Sequence, residues 1–144
     1  MSTLFLTLFL AALSAGAAED KIVKVLPFFV DQQGRIAQSP SLFDRDAYQA
    51  ELREHPAAVS ALRYDILCRA SSPLKLRLEL RGSGTNSVPQ IQTLEADIPA
   101  GSLGNWTQIN VAGADYQTIG KVLAWHATLW NGTNQVSEQK SFLW

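Results

Sequence analysis

The sequence is poor in the residues that build covalent or metal-centred sites. It holds one cysteine, Cys68. An intramolecular disulfide needs two, and structural zinc sites of the cysteine type use two to four, so both are excluded. The two histidines, His55 and His126, are far apart in the chain and form no H-x-x-x-H pair, and no D-x-D-x-D-G loop occurs. Neither charge sign dominates: 12 basic side chains face 13 acidic ones, for a net charge of -1. Proteins that hold nucleic acid through its phosphates carry a basic excess or stripe, so no nucleic-acid partner is expected. A G-x-S-x-G elbow and a catalytic Cys–His signature are also missing. These absences predict a chain that is not an enzyme and that takes no cofactor and no metal.

What is present begins with an uncharged, apolar N-terminus. Met1 to Ala18 reads MSTLFLTLFLAALSAGAA. Its apolar core from Leu4 to Leu13 has signal-peptide length and is shorter than the roughly 20 residues of a membrane-spanning helix. Ala15-Gly16-Ala17 and Gly16-Ala17-Ala18 both match the small-x-small cleavage pattern. The expectation is removal of residues 1–18. Residues 19–144 would remain as one domain, located outside the cytoplasm (periplasmic or secreted), with no membrane span after cleavage.

The mature chain reads as short strands. Lys21 to Phe29 is rich in β-branched and aromatic residues, and Asp31-Gln32-Gln33-Gly34 is a turn signal. A helix is predicted over Leu42 to Glu54, capped by Ser41 or Asp44 and stopped by Pro56, with Leu42, Phe43, Ala47, Ala50 and Leu52 toward the core. From Ser60 the period becomes two. Leu62, Tyr64, Ile66 and Cys68 alternate with polar residues, and after Ser71-Ser72-Pro73 so do Leu74, Leu76, Leu78 and Leu80. These two runs are expected to pair as a hairpin. Ile91 to Ile98 and Trp106 to Val111 are further strands, with Pro99 to Gly104 as a turn and Ala112 to Gly120 as a loop or short helical turn. Val122 to Trp130 is apolar on both faces, as a central strand is, with Trp125 as its core residue. Val136 to Trp144 is its expected return strand after Asn131-Gly132, through a loop longer than two residues. Phe142 and Trp144 are then expected to be core residues.

Seven strands with short turns and one helix after the first strand give a mainly β fold. It is similar in architecture to the immunoglobulin and fibronectin type III antiparallel β-sandwiches. The Cys…Trp…Cys spacing of true immunoglobulin domains is absent. Tyr116 is a candidate for the tyrosine corner of such folds.

No residue stands out as catalytic. His55 sits at a helix C-terminus, where it complements the dipole, and His126 reads as an interstrand residue. Asp44 and Asp46 suit a helix start. Glu79, Glu95, Asp97 and Asp115 are available as a carboxylate pair, but their positions in strands and turns give no reason to choose two of them. Cys68 lies on a core face, as a small buried hydrophobe would. Arg63, Arg69, Lys75, Arg77 and Arg81 fall on one face of the expected hairpin, which would make a basic patch. The aromatic residues carry the functional expectation. Trp106, Trp130 and Trp144 lie at strand ends, where indole rings make platforms for a protein or carbohydrate partner. The two N-x-T matches at Asn105 and Asn131 are short patterns of low weight. The function expected is an exported, non-catalytic binding or protein-interaction domain. The alternatives are a small secreted hydrolase, and a subunit of an envelope assembly that pairs through a sheet edge.

Overall fold

A computed structural model describes residues 19–144, so the leader expected over residues 1–18 lies outside the described residues. The chain forms β1 (Lys21–Asp31), α1 (Leu42–Glu54), β2 (Val59–Ala70), β3 (Leu74–Gly82), β4 (Gln90–Ile98), β5 (Gly101–Ala112), α2 (Gly113–Ile119), β6 (Val122–Asn131) and β7 (Asn134–Lys140). A short 3-10 turn over Pro56–Ala58 leads from α1 into β2. All strand pairs are antiparallel. One sheet has the order β1-β2-β5 and the other β4-β3-β6-β7.

The period-two rows explain how the sheets meet. Tyr64, Ile66 and Cys68 of β2, with Ile109 and Val111 of β5, face Leu76, Leu78 and Leu80 of β3, with Ala127 and Leu129 of β6. All of these are buried, and several are wholly inaccessible. Alternate residues of a strand point to opposite faces, so one apolar row per strand makes one packed layer between two sheets.

β2 and β3 do not form the expected hairpin. Ser71-Ser72-Pro73 carries the chain from one sheet to the other, with the Ser71 amide and hydroxyl held by Asp20. Alternation marks which residues face the core but not whether the next strand lies beside or across it. The five basic residues expected on one face are divided accordingly. Arg63 and Arg69 lie on β2, and Lys75, Arg77 and Arg81 on β3 of the opposite sheet. Trp125 is only half-buried at the margin of the core, whose centre is the β3 leucine row.

α1 occupies the expected span, and Ser41 accepts a hydrogen bond from the Asp44 amide at its start. Its buried residues are Gln49 and Leu52, whereas Leu42 and Phe43 are 67% and 82% exposed and Ala50 is exposed too. The helix meets only the margin of β1, so it presents a narrow stripe rather than a broad apolar face. Gln49 docks it. Its side-chain amide accepts from the Phe29 N–H at 2.7 Å and donates to the Phe29 and Ile36 carbonyls at 2.8 and 2.9 Å. It thus stands in for a neighbouring strand at a free sheet edge. Asp31, at the end of β1, anchors the connecting loop. Burial pushes its carboxyl upward, but the bonds it accepts from Tyr48, from the Arg35 amide and guanidinium and from the Gln33 amide outweigh that, bringing its pKa down to about 2.

The loop region Ala112–Gly120 holds a second helix, α2, which plugs Ile119 into the core. Tyr116 lies on this helix and packs against the core margin, which is not a tyrosine-corner position. The close approach of α2 explains Gly82. A β-carbon there would stand 2.0 Å from the Ile119 carbonyl oxygen. β5 begins at Gly101, so the Pro99 to Gly104 turn is shorter than expected.

The β6–β7 turn is a two-residue loop, Gly132-Thr133, closed by the pair Asn131 and Asn134. Gly132 has φ +60, and Thr133 is not among the residues of positive φ. Positive φ at the first central residue alone suits a II′-type turn with Gly there. The residue that lengthened the expected loop is accommodated in β7, where the register slips between Leu129 and Trp130. β7 ends at Lys140. Ser141 continues the pairing briefly with Trp125, and the chain then turns back on itself. Phe142 is therefore 100% exposed, contrary to the core role expected of it.

Candidate functional site

The outer face of the four-stranded sheet is built from the residues that alternate with the core row. Register places Lys75, Arg77, Glu79 and Arg81 of β3 beside Asp97, Glu95, Thr93 and Ile91 of β4. On the other side of β3 they lie beside Trp130, Thr128, His126 and Ala124 of β6. β7 adds Lys140 opposite His126 and Glu138 opposite Thr128.

Acids and bases interleave across this surface. Arg77 reaches Glu95 at 3.1 Å, and Lys75 reaches Asp97 at 3.3 Å. His126 is a bridge between strands. Its Nε2 is 2.8 Å from Glu138 and its Nδ1 3.4 Å from Glu79. The bond with His126 holds the Glu138 carboxyl below its usual pKa. The ring therefore has a carboxylate at each nitrogen. That arrangement fixes its orientation. His55 behaves as expected, with its ring Nδ1 at 2.9 Å from the Glu51 carbonyl at the end of α1.

Two of the three expected binding tryptophans belong to this face. Trp130 donates its indole N–H to Thr128 at 2.8 Å, and the Arg77 guanidinium lies 5.1 Å from its ring centre. Trp144 folds back from the end of the chain. Arg81 stacks on it at 3.9 Å, and His126 lies 5.0 Å from it, ring to ring. Cations over indole faces attract the negative ring quadrupole, more so where water is excluded. On the same face Ala124 and Thr128 are buried. The two rings rest on different neighbours, Trp130 on Thr128 and Arg77, Trp144 on His126 and Arg81. Trp106 is elsewhere, on β5 of the three-stranded sheet opposite Leu67, and 55% exposed.

The Trp144 end also holds a feature that the sequence reading missed. Phe142 and Leu143 project into solvent at 100% and 70% exposure, while the next residue is clamped to the sheet. A signal existed in Phe142-Leu143-Trp144. Consecutive residues of a strand face opposite ways, so three apolar residues in a row cannot all be buried from one side of an exposed sheet. Ile91, opposite Arg81, adds a further exposed side chain to this end.

The concave features are open depressions. One of 330 Å³ is lined by Gln38, Ser39, Asp44, Ala47, Tyr48 and Glu51 beside α1. Another of 290 Å³ follows β4 and is lined by Gln92, Thr93, Leu94, Glu95 and Asp115. Among the described residues no three or more His, Cys, Asp or Glu side chains group as metal ligands. Among the same residues no helix is long and apolar enough to cross a membrane. Cys68 is buried in the core, and burial pushes its thiol up to about 11. Of the two N-x-T matches, Asn105 donates its amide to the Pro99 carbonyl and lies over Gly101, whereas Asn131 is exposed at the β6–β7 turn. No protein-family model, curated protein or solved structure matches the chain.

Proposed function

We propose that the chain is an exported, non-catalytic binding domain that recognises a protein partner through the outer face of its four-stranded sheet, at the Trp144 end. The carrying observation is the conformation of Ser141 to Trp144. Trp144 is held against Arg81 and His126, and this holds Phe142 and Leu143 out in water. Large apolar side chains kept exposed beside an aromatic–Arg cluster, with Glu138 and Lys140 at the margin, have the composition of a protein-binding hot spot and its rim. The stacked guanidinium also occupies a face of Trp144 that a sugar ring would need, which favours protein over carbohydrate. The leader-like Met1–Ala18 supports a location outside the cytoplasm, periplasmic or secreted.

Strand order supports the finer reading of the fold. β4 pairs with β3 and not with β5. This departs from the constant-type immunoglobulin arrangement, in which the fourth strand shares the sheet of the first, second and fifth. Of the two sandwich types it favours the fibronectin type III one.

The test is a double substitution, Phe142→Ser with Leu143→Ser. Both side chains lie in solvent, so unfolding free energy should change by no more than about 0.5 kcal/mol. Capture of the partner from the extracytoplasmic fraction of the source cells should be lost. Equal capture by both proteins refutes the assignment of the site. N-terminal sequencing of the exported protein should give Glu19 first, and a mature species starting at Met1 refutes the leader.

A further inference from the structure

The four sheet edges are not equivalent. β1 is covered at Phe29 by Gln49 of α1. Farther up, its Ile22 N–H donates to the Ser137 hydroxyl, and its Ile22 and Val23 carbonyls accept from the Gln139 amide of β7. These bonds close β1 and β7 against each other. β5 is broken in register between Cys68 and Ala70 and carries Gly101 and Gly104. β4 is tied to its surroundings at Gln92, which bonds to Asp115 of α2, but its ladder is regular. It pairs with β3 from Gln90 to Ile98 without a register shift, contains no Lys, Arg or Pro, and has Pro only just outside, at Pro89 and Pro99. A regular edge without Lys, Arg or Pro is a template for a further strand.

Two further observations lie along that edge. The 290 Å³ depression runs beside Gln92 to Glu95, with Asp115 of α2 as its wall. Gln92 donates its amide to the Asp115 carbonyl at 2.7 Å, while its own carbonyl oxygen is buried without a partner. An orphaned buried acceptor is costly and is relieved by a donor. On the β3 side Glu95 and Asp97 pair with Arg77 and Lys75, yet Asp97 keeps 89% of its side chain exposed, and β4 with the segments that follow it is acidic. From Gly82 to Gly120 there is no Lys, Arg or His, and the charged residues are Glu95, Asp97 and Asp115.

We infer that the β4 edge accepts an extended, basic segment of a partner protein as an added strand, with Lys or Arg at the alternate positions that face Glu95 and Asp97. Main-chain bonds would supply affinity, and the acidic row would select the segment. The inference does not depend on Phe142, Leu143 or Trp144, the residues on which the proposed binding face rests.

The probe is a capped peptide of alternating Lys and Val, with an alternating Glu and Val peptide as control. The readout is amide hydrogen exchange of the full chain at low salt. The Lys peptide should slow exchange within Gln90–Ile98 by about tenfold or more, and high salt should remove the effect. The Glu peptide should do nothing. Thr93→Lys, at a solvent-facing position of β4, should abolish the protection, as should Asp97→Asn combined with Asp115→Asn. Phe142→Ser with Leu143→Ser should leave it intact. Protection on β5 or β7 instead of β4 overturns the inference. So does equal protection by both peptides, none by either, or protection that follows protein concentration without peptide, which would mean a second copy is the occupant.

Discussion

Replacing Gln49 with leucine tests whether a side chain really serves as the missing neighbour of β1. The substitution keeps helix propensity and roughly keeps volume. It removes three hydrogen bonds, at 2.7, 2.8 and 2.9 Å, around a residue that is only 8% exposed. A typical bond contributes about 0.5–1.5 kcal/mol net, and a buried group left unpaired costs more. Three of them give about 2–4 kcal/mol, a large share of the 5–15 kcal/mol that holds a typical domain together. The assay is urea unfolding, in which the midpoint should fall at unchanged slope. Amide exchange at Phe29, which donates to Gln49, should accelerate in parallel. Gln49→Glu sharpens the test. It retains the acceptor for the Phe29 N–H but turns a carboxylate oxygen toward the Phe29 and Ile36 carbonyls, so it should be at least as damaging at neutral pH. Its deficit should shrink as pH falls toward the usual glutamate pKa of about 4.3, where protonation restores a donor. A leucine variant within about 0.5 kcal/mol of the parent, with the Phe29 amide still slow, would show that water replaces Gln49 without loss and would refute the reasoning.

Leu78 is wholly buried opposite Leu94 and Ala127, so Leu78→Ala should cost about 2–5 kcal/mol in thermal or denaturant unfolding, with a smaller loss pointing to a core that collapses onto the cavity. Folding lowers the Asp31 pKa from 3.8 to about 2. Its contribution is therefore complete above pH 4 and is lost as the pH falls toward 2, and Asp31→Asn should reduce stability at neutral pH while flattening this part of the pH profile. An unchanged acid limb in that variant would assign the acid sensitivity to other groups. Cys68 should resist a thiol reagent in the folded protein, because it is buried and its thiol is pushed up to about 11. The labelling rate should track the unfolding equilibrium as urea is added, and fast labelling without denaturant would contradict the packing.

Local rules read the strands well and their neighbours poorly. Leu74 to Leu80 alternate without a fault, and the burial of that row follows from the pleat alone. Ser41 and Pro56 bracket α1, because cap and stop signals are local chemistry. Whether β3 lies beside β2 or across from it depends on Ser71 to Pro73 and on strands distant in sequence, which no period records. Gln49 and Asp31 read as ordinary polar residues, yet their roles arise from backbone groups brought to them by the fold. The tryptophans expected to bind a partner divide in the same way. Strand parity puts Trp130 on its face, whereas Trp144 reaches the same face through the turn after Ser141, which lies beyond the end of β7 and which no period records. Phe142 escapes the pattern because the apolar run continues past Lys140, where strand pairing ends.

The bonds between β1 and β7 have a consequence for the order in which the molecule assembles. They join Ile22 to Ser137 and Gln139, partners 115 and 117 positions apart. Closing a loop of that length with nothing formed between costs about 4 kcal/mol of chain entropy. A chain that emerges N-terminus first presents β1 at the start and the partner of its outer edge only at the end. α1 through Gln49, and then β2, can engage β1 early, since both are near in sequence. The seam at Ile22 and Val23 must wait for β7. Until then the upper half of β1 keeps unpaired amides and carbonyls in reach of any other extended chain. The interval between synthesis of β1 and arrival of β7 is thus when this protein is most open to wrong pairing, and a chaperone that shields one strand would do most good there.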